Sequence, residues 1–139
     1  MDKEKILQRL NQSNKNTLME TLDIEFIDLG ENFITAKMPI NPKVYQPFGL
    51  LHGGATAALA ETVGSAASQC ALIDSKTKIT VGLELNINHI KSKKKGILYA
   101  KATAIHKGKT THLWEIKIVD EKNDLISVCK LTNIVLDKQ

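Results

Sequence analysis

Hydrophobic and polar positions alternate with a two-residue period through much of the second half of the chain. Over 79–90, Val81, Leu83, Leu85 and Ile87 alternate with Gly82, Glu84, Asn86 and Asn88, which predicts a half-buried strand with those four apolar residues on its inner face. Over 110–119, Trp114, Ile116 and Ile118 share one face of another strand. Further strands are predicted over 97–106 and 124–136, set off by polar turns at 91–96, 107–109 and 120–124. In the first half, 21–29 and 33–40 read as strands joined by the turn Gly30-Glu31-Asn32. Ile6, Leu7 and Leu10 fall at helical spacing and predict a short amphipathic helix over 2–13, with a polar break over 11–16.

The pattern changes in the middle. Asn41-Pro42 and Gln46-Pro47-Phe48-Gly49 force an irregular path, because proline restricts itself and the residue before it. A helix then starts near Gly53 or Gly54 and runs to about Ile73. Its one charged residue is Glu61, set among Ala55, Ala57, Ala58, Leu59, Ala60, Val63, Ala66 and Ala67. A helix apolar almost all round is a buried one. A carboxylate buried there is costly unless it is paired or used, so Glu61 is expected to be buried and chemically active. The segment is long enough to span a membrane, but Thr56, Thr62, Ser65, Ser68, Gln69 and the mid-span Glu61 argue against it.

These elements predict an α+β chain. A helix of about 20 residues is roughly 30 Å long, and strands of about ten residues reach a similar length. One curved antiparallel sheet of about six strands can therefore wrap one long central helix along its whole length. Such a sheet leaves one helix flank and one edge strand uncovered, and a second protomer is expected to cover them. A single domain over 1–139 follows from length.

Composition adds little to this picture, being 42% hydrophobic and 24% charged. No apolar leader opens the chain, and no secretion is expected. Cys70 and Cys129 are far apart and in no ligand pattern, which reads as reduced thiols in a cytoplasmic protein. The net charge of +4 comes almost wholly from lysine, Arg9 being the sole arginine. No arginine-rich stripe with interleaved aromatics points to nucleic acid. Lys91, Lys93, Lys94 and Lys95 form a local basic patch, either a solvated loop or a phosphate contact. His106 and His112 are strand residues without metal-ligand spacing, so no metal is expected.

Three stretches, Gln46-Pro47-Phe48-Gly49-Leu50-Leu51-His52-Gly53-Gly54, Ala60-Glu61-Thr62 and Val81-Gly82-Leu83-Glu84-Leu85-Asn86-Ile87-Asn88-His89, stand in this strand–helix–strand order. Together they resemble the hotdog-fold acyl-CoA thioesterases, nearest to the phenylacetate-pathway and 1,4-dihydroxy-2-naphthoyl-CoA branch, from about Leu18 to Leu136. Thioester hydrolysis needs a base or nucleophile, an oxyanion site and a leaving-group pocket. Glu61 can activate water or attack directly. The Gly53 N–H, at a helix N-terminus, suits a developing oxyanion. The resemblance implies that His52 bonds the substrate or fixes the turn. It also implies that Gln46 contacts the thioester carbonyl and that Ser65, one turn after Glu61, orients water or substrate. It places the coenzyme A phosphates at His89, Lys91 and Ser92 and at Lys109, Thr110 and Thr111. Close relatives carry arginine at the Lys91 position, so a bidentate grip is absent here.

The resemblance further implies an acyl- or aryl-CoA substrate, with 1,4-dihydroxy-2-naphthoyl-CoA preferred. No cofactor is implied beyond the coenzyme A of the substrate, and no membrane or nucleic-acid partner. It implies a homo-oligomer, at least a dimer and expected as a dimer of dimers. Gly53 and Glu61 lie eight positions apart, about 12 Å along a helix. Two antiparallel helices would bring Gly53 of one beside Glu61 of the other. Two other readings stand beside this one. A hotdog hydratase or dehydratase resembles an Asp/His pair on the central segment, but no Asp lies between Asn41 and Ile73. A non-catalytic acyl-CoA-binding module would call for an output domain, which 139 residues are not expected to hold.

Overall fold

The computed structural model describes residues 2–139. Helices α1 (Lys3–Ser13) and α2 (Leu18–Thr21) precede strands β1 (Glu25–Gly30) and β2 (Phe33–Ile40). A 3-10 turn (Pro42–Val44) leads towards helix α3 (Gly53–Ala71). Strands β3 (Lys78–His89), β4 (Gly96–Lys107), β5 (Thr111–Asp120) and β6 (Leu125–Asp137) follow. The six strands make one antiparallel sheet in the order β1-β2-β4-β5-β6-β3. Helix α3 packs on one face of it, touching β2 to β6. The α+β arrangement is the one expected, a long helix on a six-stranded antiparallel sheet.

The core lies between that helix and that face. Met38, Leu98, Trp114, Ile116, Ile118, Ile126 and Leu131 from the sheet meet Leu59, Ala60, Val63 and Ala67 of α3. Burying each large aliphatic side chain contributes roughly 1.5–3 kcal/mol. Small residues set the helix close to the strands. A Cβ placed on Gly64 would sit 3.2 Å from Ile116 Cδ1 and nearer still to Leu131.

A polar knot sits inside this apolar layer. Ser68 Oγ lies 2.7 Å from both Trp114 Nε1 and Asn133 Nδ2, and 2.9 Å from His112 Nδ1. The indole and the amide can only donate and fill both lone pairs of the hydroxyl. The Ser68 hydrogen therefore goes to His112 Nδ1, and the imidazole is neutral with its proton on Nε2. Burial pushes the His112 pKa below its ordinary value, and Lys107 and His106 add to the effect.

The backbone elements depart from the sequence expectations at three places. The first strand begins at Glu25 rather than Thr21, because residues 18–21 make one helical turn. Thr17 caps that turn, its hydroxyl accepting from Met19 N at 3.2 Å. The signal was Thr17-Leu18-Met19-Glu20, the spacing of a capping box. The polar stretch after α1 is a joint rather than a plain break. Asn11 both accepts from Phe26 N (2.8 Å) and donates to Phe26 O (3.0 Å), and Asn14 donates to Ile24 O (3.0 Å). The Asn11 amide thus takes the place of a neighbouring strand along edge strand β1.

The third departure lies in β3. A bulge between Gly82 and Glu84 shifts its pairing with β6. One extra residue reverses the phase of a strand. Leu85 and Ile87 pack against the core, but Val81 and Leu83 are 43% and 63% exposed. The four-residue apolar face expected from the alternation is therefore split, and β3 forms an open edge of the sheet.

Candidate active site

The path into α3 is fixed by turns. Asn41 caps the 3-10 turn, accepting from Lys43 N at 3.0 Å. The loop 46–50 closes on itself through Gln46 N to Leu50 O (2.8 Å) and Gly49 N to Gln46 O (2.9 Å), with Gly49 at φ 75°. Leu51 N then donates to Lys93 O and His52 N to Val44 O, both at 2.8 Å. His52 is the N-cap of α3, its Nδ1 accepting from Gly54 N at 2.7 Å. That bond leaves the His52 proton on Nε2. Gly53 N makes no hydrogen bond among the described residues, and it points out of the positive end of a 19-residue helix.

This N-terminal end borders a cleft of about 240 Å³ lined by Gln46, Gly53, Thr56, His89, Lys91 and Ser92, among others. A Cβ on Gly53 would come within 2.7 Å of His89 Nε2, so the close approach of the ring requires glycine. His89 is held in turn by Ser127, Nδ1 to Oγ at 3.0 Å. Gln46 Oε1 accepts from Phe48 N, which leaves its amide hydrogens as free donors.

A second and larger hollow, about 590 Å³, runs along one flank of α3, bordered by Phe26 of β1 and Leu85 of β3. Glu61, Ser65, Gln69 and the small residues Gly54, Ala57 and Ala58 form its floor. Leu85 of β3 and Leu10, Leu18, Met19 and Phe26 form apolar walls. Glu61 is exposed here, which corrects the expectation of a buried carboxylate. At Glu61 only edge strand β3 reaches this flank, and its Gly82, like the alanines around Glu61, is too short to shield the side chain. Its tip rests over Gly82 of β3, where a Cβ would lie 2.9 Å from Oε2.

The structure therefore sorts the expected residues into groups. Gln46, Gly53, His89, Lys91 and Ser92 share the cleft, with His52 at its rim. Glu61 and Ser65 share the groove. Lys109, Thr110 and Thr111 sit at the other end of the sheet. Along β6, His89 is opposite Ser127 and Thr111 is opposite Ile134, a separation of roughly 23 Å at strand rise. One chain does not bring the two proposed phosphate groups together.

The lysine patch also divides. Lys91 pairs at the surface with Asp124 (2.8 Å), a contact of little energetic weight. Lys93 pairs with buried Asp120 (2.9 Å), whose Oδ1 also accepts from Lys122 N and Asp124 N. The Lys93 ammonium and these N–H groups hold the Asp120 pKa down to about 2. Lys93 is thus a strut that fixes the loop receiving Leu51 N, not a free cation. Cys70 and Cys129 are unpaired thiols, and burial pushes the Cys129 pKa up to about 12. Among the described residues no three His, Cys, Asp or Glu side chains converge as a metal site, and no helix is long and apolar enough to cross a membrane. Two residues that contact this region were not singled out from sequence, Gly82 and Asn133. A glycine inside a strand pattern was the available signal for the first.

A long helix on a six-stranded antiparallel sheet, entered through a glycine pair, is the hotdog architecture. The profile of the thioesterase superfamily matches residues 48–127, and the chain belongs to that family and is a thioester hydrolase. The crystal structure of a mutant thioesterase from Pseudomonas aeruginosa superposes with a TM-score of 0.91 at 39% identity, covering 95% of this chain and 94% of that one. The chain is 38% identical over 130 residues to a 1,4-dihydroxy-2-naphthoyl-CoA hydrolase of Escherichia coli, covering 94% of each. It is 39% identical over 134 residues to the proofreading thioesterase EntH of Klebsiella pneumoniae, covering 96% of each.

Proposed function

We propose that the protein hydrolyses acyl- or aryl-CoA thioesters in sites shared between two protomers, Gly53 of one facing Glu61 of the other. The observation that carries this reading is the separation of a donor-rich cleft from a carboxylate groove on one helix. The Gly53 N–H and Glu61 are about 12 Å apart by helix rise. An oxyanion donor works at roughly 3 Å from the carbonyl oxygen, so one chain's two halves do not reach one thioester. The open flank of α3 and the edge strand β3, with Val81 and Leu83 bare, are the surfaces a two-fold partner would cover. A dimer of dimers would extend the same principle.

In such a site Gly53 N–H holds the oxyanion, and Glu61 activates water or attacks the carbonyl itself. Gln46 offers amide hydrogens to the thioester oxygen. His52 offers only its Nε2–H, because Nδ1 is engaged in the cap. Ser65 orients water. His89, Lys91 and Ser92 of one protomer meet the nucleotide end of coenzyme A, and antiparallel pairing carries the partner's β4–β5 turn, with Lys109, Thr110 and Thr111, towards the same end. No metal or separate cofactor enters this scheme. The groove is apolar-walled and of a size suited to a ring system. Similarity to the hydrolase relative supports 1,4-dihydroxy-2-naphthoyl-CoA as the substrate to test first.

The test is thiol release across a panel of aliphatic and aromatic acyl-CoAs. Aromatic thioesters, the naphthoyl compound first, should give the highest kcat/KM. Preference for short aliphatic chains overturns the substrate assignment. Tight binding of acyl-CoAs without release of thiol overturns the enzyme reading in favour of a binding module.

A further inference from the structure

Asn133 lies within β6, faces α3 and is wholly buried. Its amide nitrogen meets Gly64 O at 3.3 Å and Ser68 Oγ at 2.7 Å. A carbonyl only accepts, so the group facing Gly64 is the NH2, and turning the amide over would set two acceptors against each other. Oδ1 is thereby fixed on the other side, where no donor among the described residues meets it. A buried acceptor without a donor is costly to keep.

Gly82 defines what this oxygen faces. A Cβ placed on Gly82 would lie 2.9 Å from Glu61 Oε2 and 3.8 Å from Asn133 Oδ1. Both oxygens therefore border one side-chain-free spot on β3. Gly82 does not have a positive φ, so the backbone does not demand glycine there. The space does.

Asn133 Oδ1 is the acceptor that lacks a hydrogen, and the neighbouring Glu61 supplies one once protonated. We propose that Asn133 Oδ1 accepts the hydroxyl of Glu61 after Glu61 has taken a proton, and that Gly82 keeps the space for that bond. This rests on Glu61 being the reacting carboxylate, and it goes further by making Glu61 a general base rather than a nucleophile. An O–H bond of water breaks, its proton passes to Glu61, and the water oxygen bonds to the thioester carbon. The C–S bond then breaks, and the departing thiolate takes the proton back from Glu61. Asn133 would hold the protonated carboxyl in place by accepting its hydrogen, which makes it a positioning residue. Among the described residues of one chain no other ionisable side chain lines the groove. Glu61 faces Gly82 and Leu85 from β3, apolar Leu10, Leu18 and Met19 from α1 and α2, and behind Asn133 the neutral His112.

The experiment compares kcat and KM across pH for Asn133→Leu, Asn133→Asp and Gly82→Ala, with Tm recorded for each. Asn133→Leu should lower kcat about tenfold, leave KM nearly unchanged and move the acid limb of the profile to lower pH. Asn133→Asp should move that limb to higher pH. Lost stability alters the amount of active enzyme but not the position of the limb. Gly82→Ala, on an exposed edge strand, should lower kcat without lowering Tm. Acid limbs at the wild-type position in both Asn133 variants, or wild-type kcat in Gly82→Ala, overturn the proposal. Glu61→Gln is the control. Near-normal turnover there overturns the role of Glu61 itself, whereas an inactive Glu61→Gln with unmoved limbs overturns only that of Asn133.

Discussion

The head of α3 and its open flank are built on opposite plans. At the head, backbone donors and amides crowd a narrow cleft, and almost every group there is held by a turn, a cap or the 91–95 loop. On the flank, small side chains and distant apolar walls leave a wide groove with one carboxylate. The first region can receive negative charge and the second can make or accept a proton. In the proposed scheme each supplies one half of a thioester hydrolase. The difference teaches that the rigid helix between them measures the site, and that its length sets how two chains would have to meet.

Removing the flank's one reactive group should have the largest effect. Glu61→Gln keeps size and polarity but removes the base, and turnover should fall on the order of a hundredfold or more. A folded variant with near-normal kcat would dissolve the contrast between the two regions. The next effect tests whether they come from different chains. Glu61→Ala and Gln46→Ala chains should each be weak, yet random mixing should restore roughly a quarter of wild-type sites, one in each mixed dimer. Mixed dimers shown by two tags, without a gain over the parents, would return both regions to one chain.

A smaller effect separates the two lysines. Lys91→Ala should raise KM for acyl-CoA a few-fold and weaken its salt dependence, while a short acyl-pantetheine thioester is cleaved as before. Lys93→Ala should instead lower Tm, because its partner is the buried Asp120. Equal loss on both thioesters with Lys91→Ala would remove it from the nucleotide end. The smallest effect lies on the sealed side of the helix. The folded pKa of His112 is below its unfolded value, so its contribution is fully present above about pH 6.5 and is lost as pH falls towards the folded value. Tm should drop by roughly 3 °C between about pH 7 and pH 5, and less in His112→Gln. An identical slope in both proteins would show that His112 does not set it.

The strands, the long helix and its start at Gly53 were legible because alternation, turn residues and the glycine pair are local signals. The bulge at Leu83 was not, because it depends on pairing with β6, and so the inner face of β3 was assigned wrongly at Val81 and Leu83. The exposure of Glu61 was hidden for a similar reason. Alanine-rich helices read as buried, yet burial depends on whether something large covers them, and among the described residues no large side chain closes over Glu61. Gln46, Gly53 and His89 stand in motif stretches, Lys91 and Ser92 were implied by the resemblance as phosphate contacts, and folding gathers them into one cleft. Asn133 drew no notice because it carries no charge and stands in no motif, and Gly82, though inside a motif stretch, was read only as an outward position of the alternation. Their link to Glu61 exists only once β3 and β6 are side by side.

That pairing also sets a timetable for the chain as it is made. Strand β3 closes the sheet against β6, the last strand in sequence, not against β4, which follows it. A ribosome delivers roughly 5–20 residues per second, and about fifty residues separate the end of β3 from the end of β6. For several seconds the nascent chain therefore carries Val81, Leu83, Leu85 and Ile87 on a strand with no neighbour. Substitutions in β6 bear first on newborn chains, which can be lost to aggregation before any enzyme has formed.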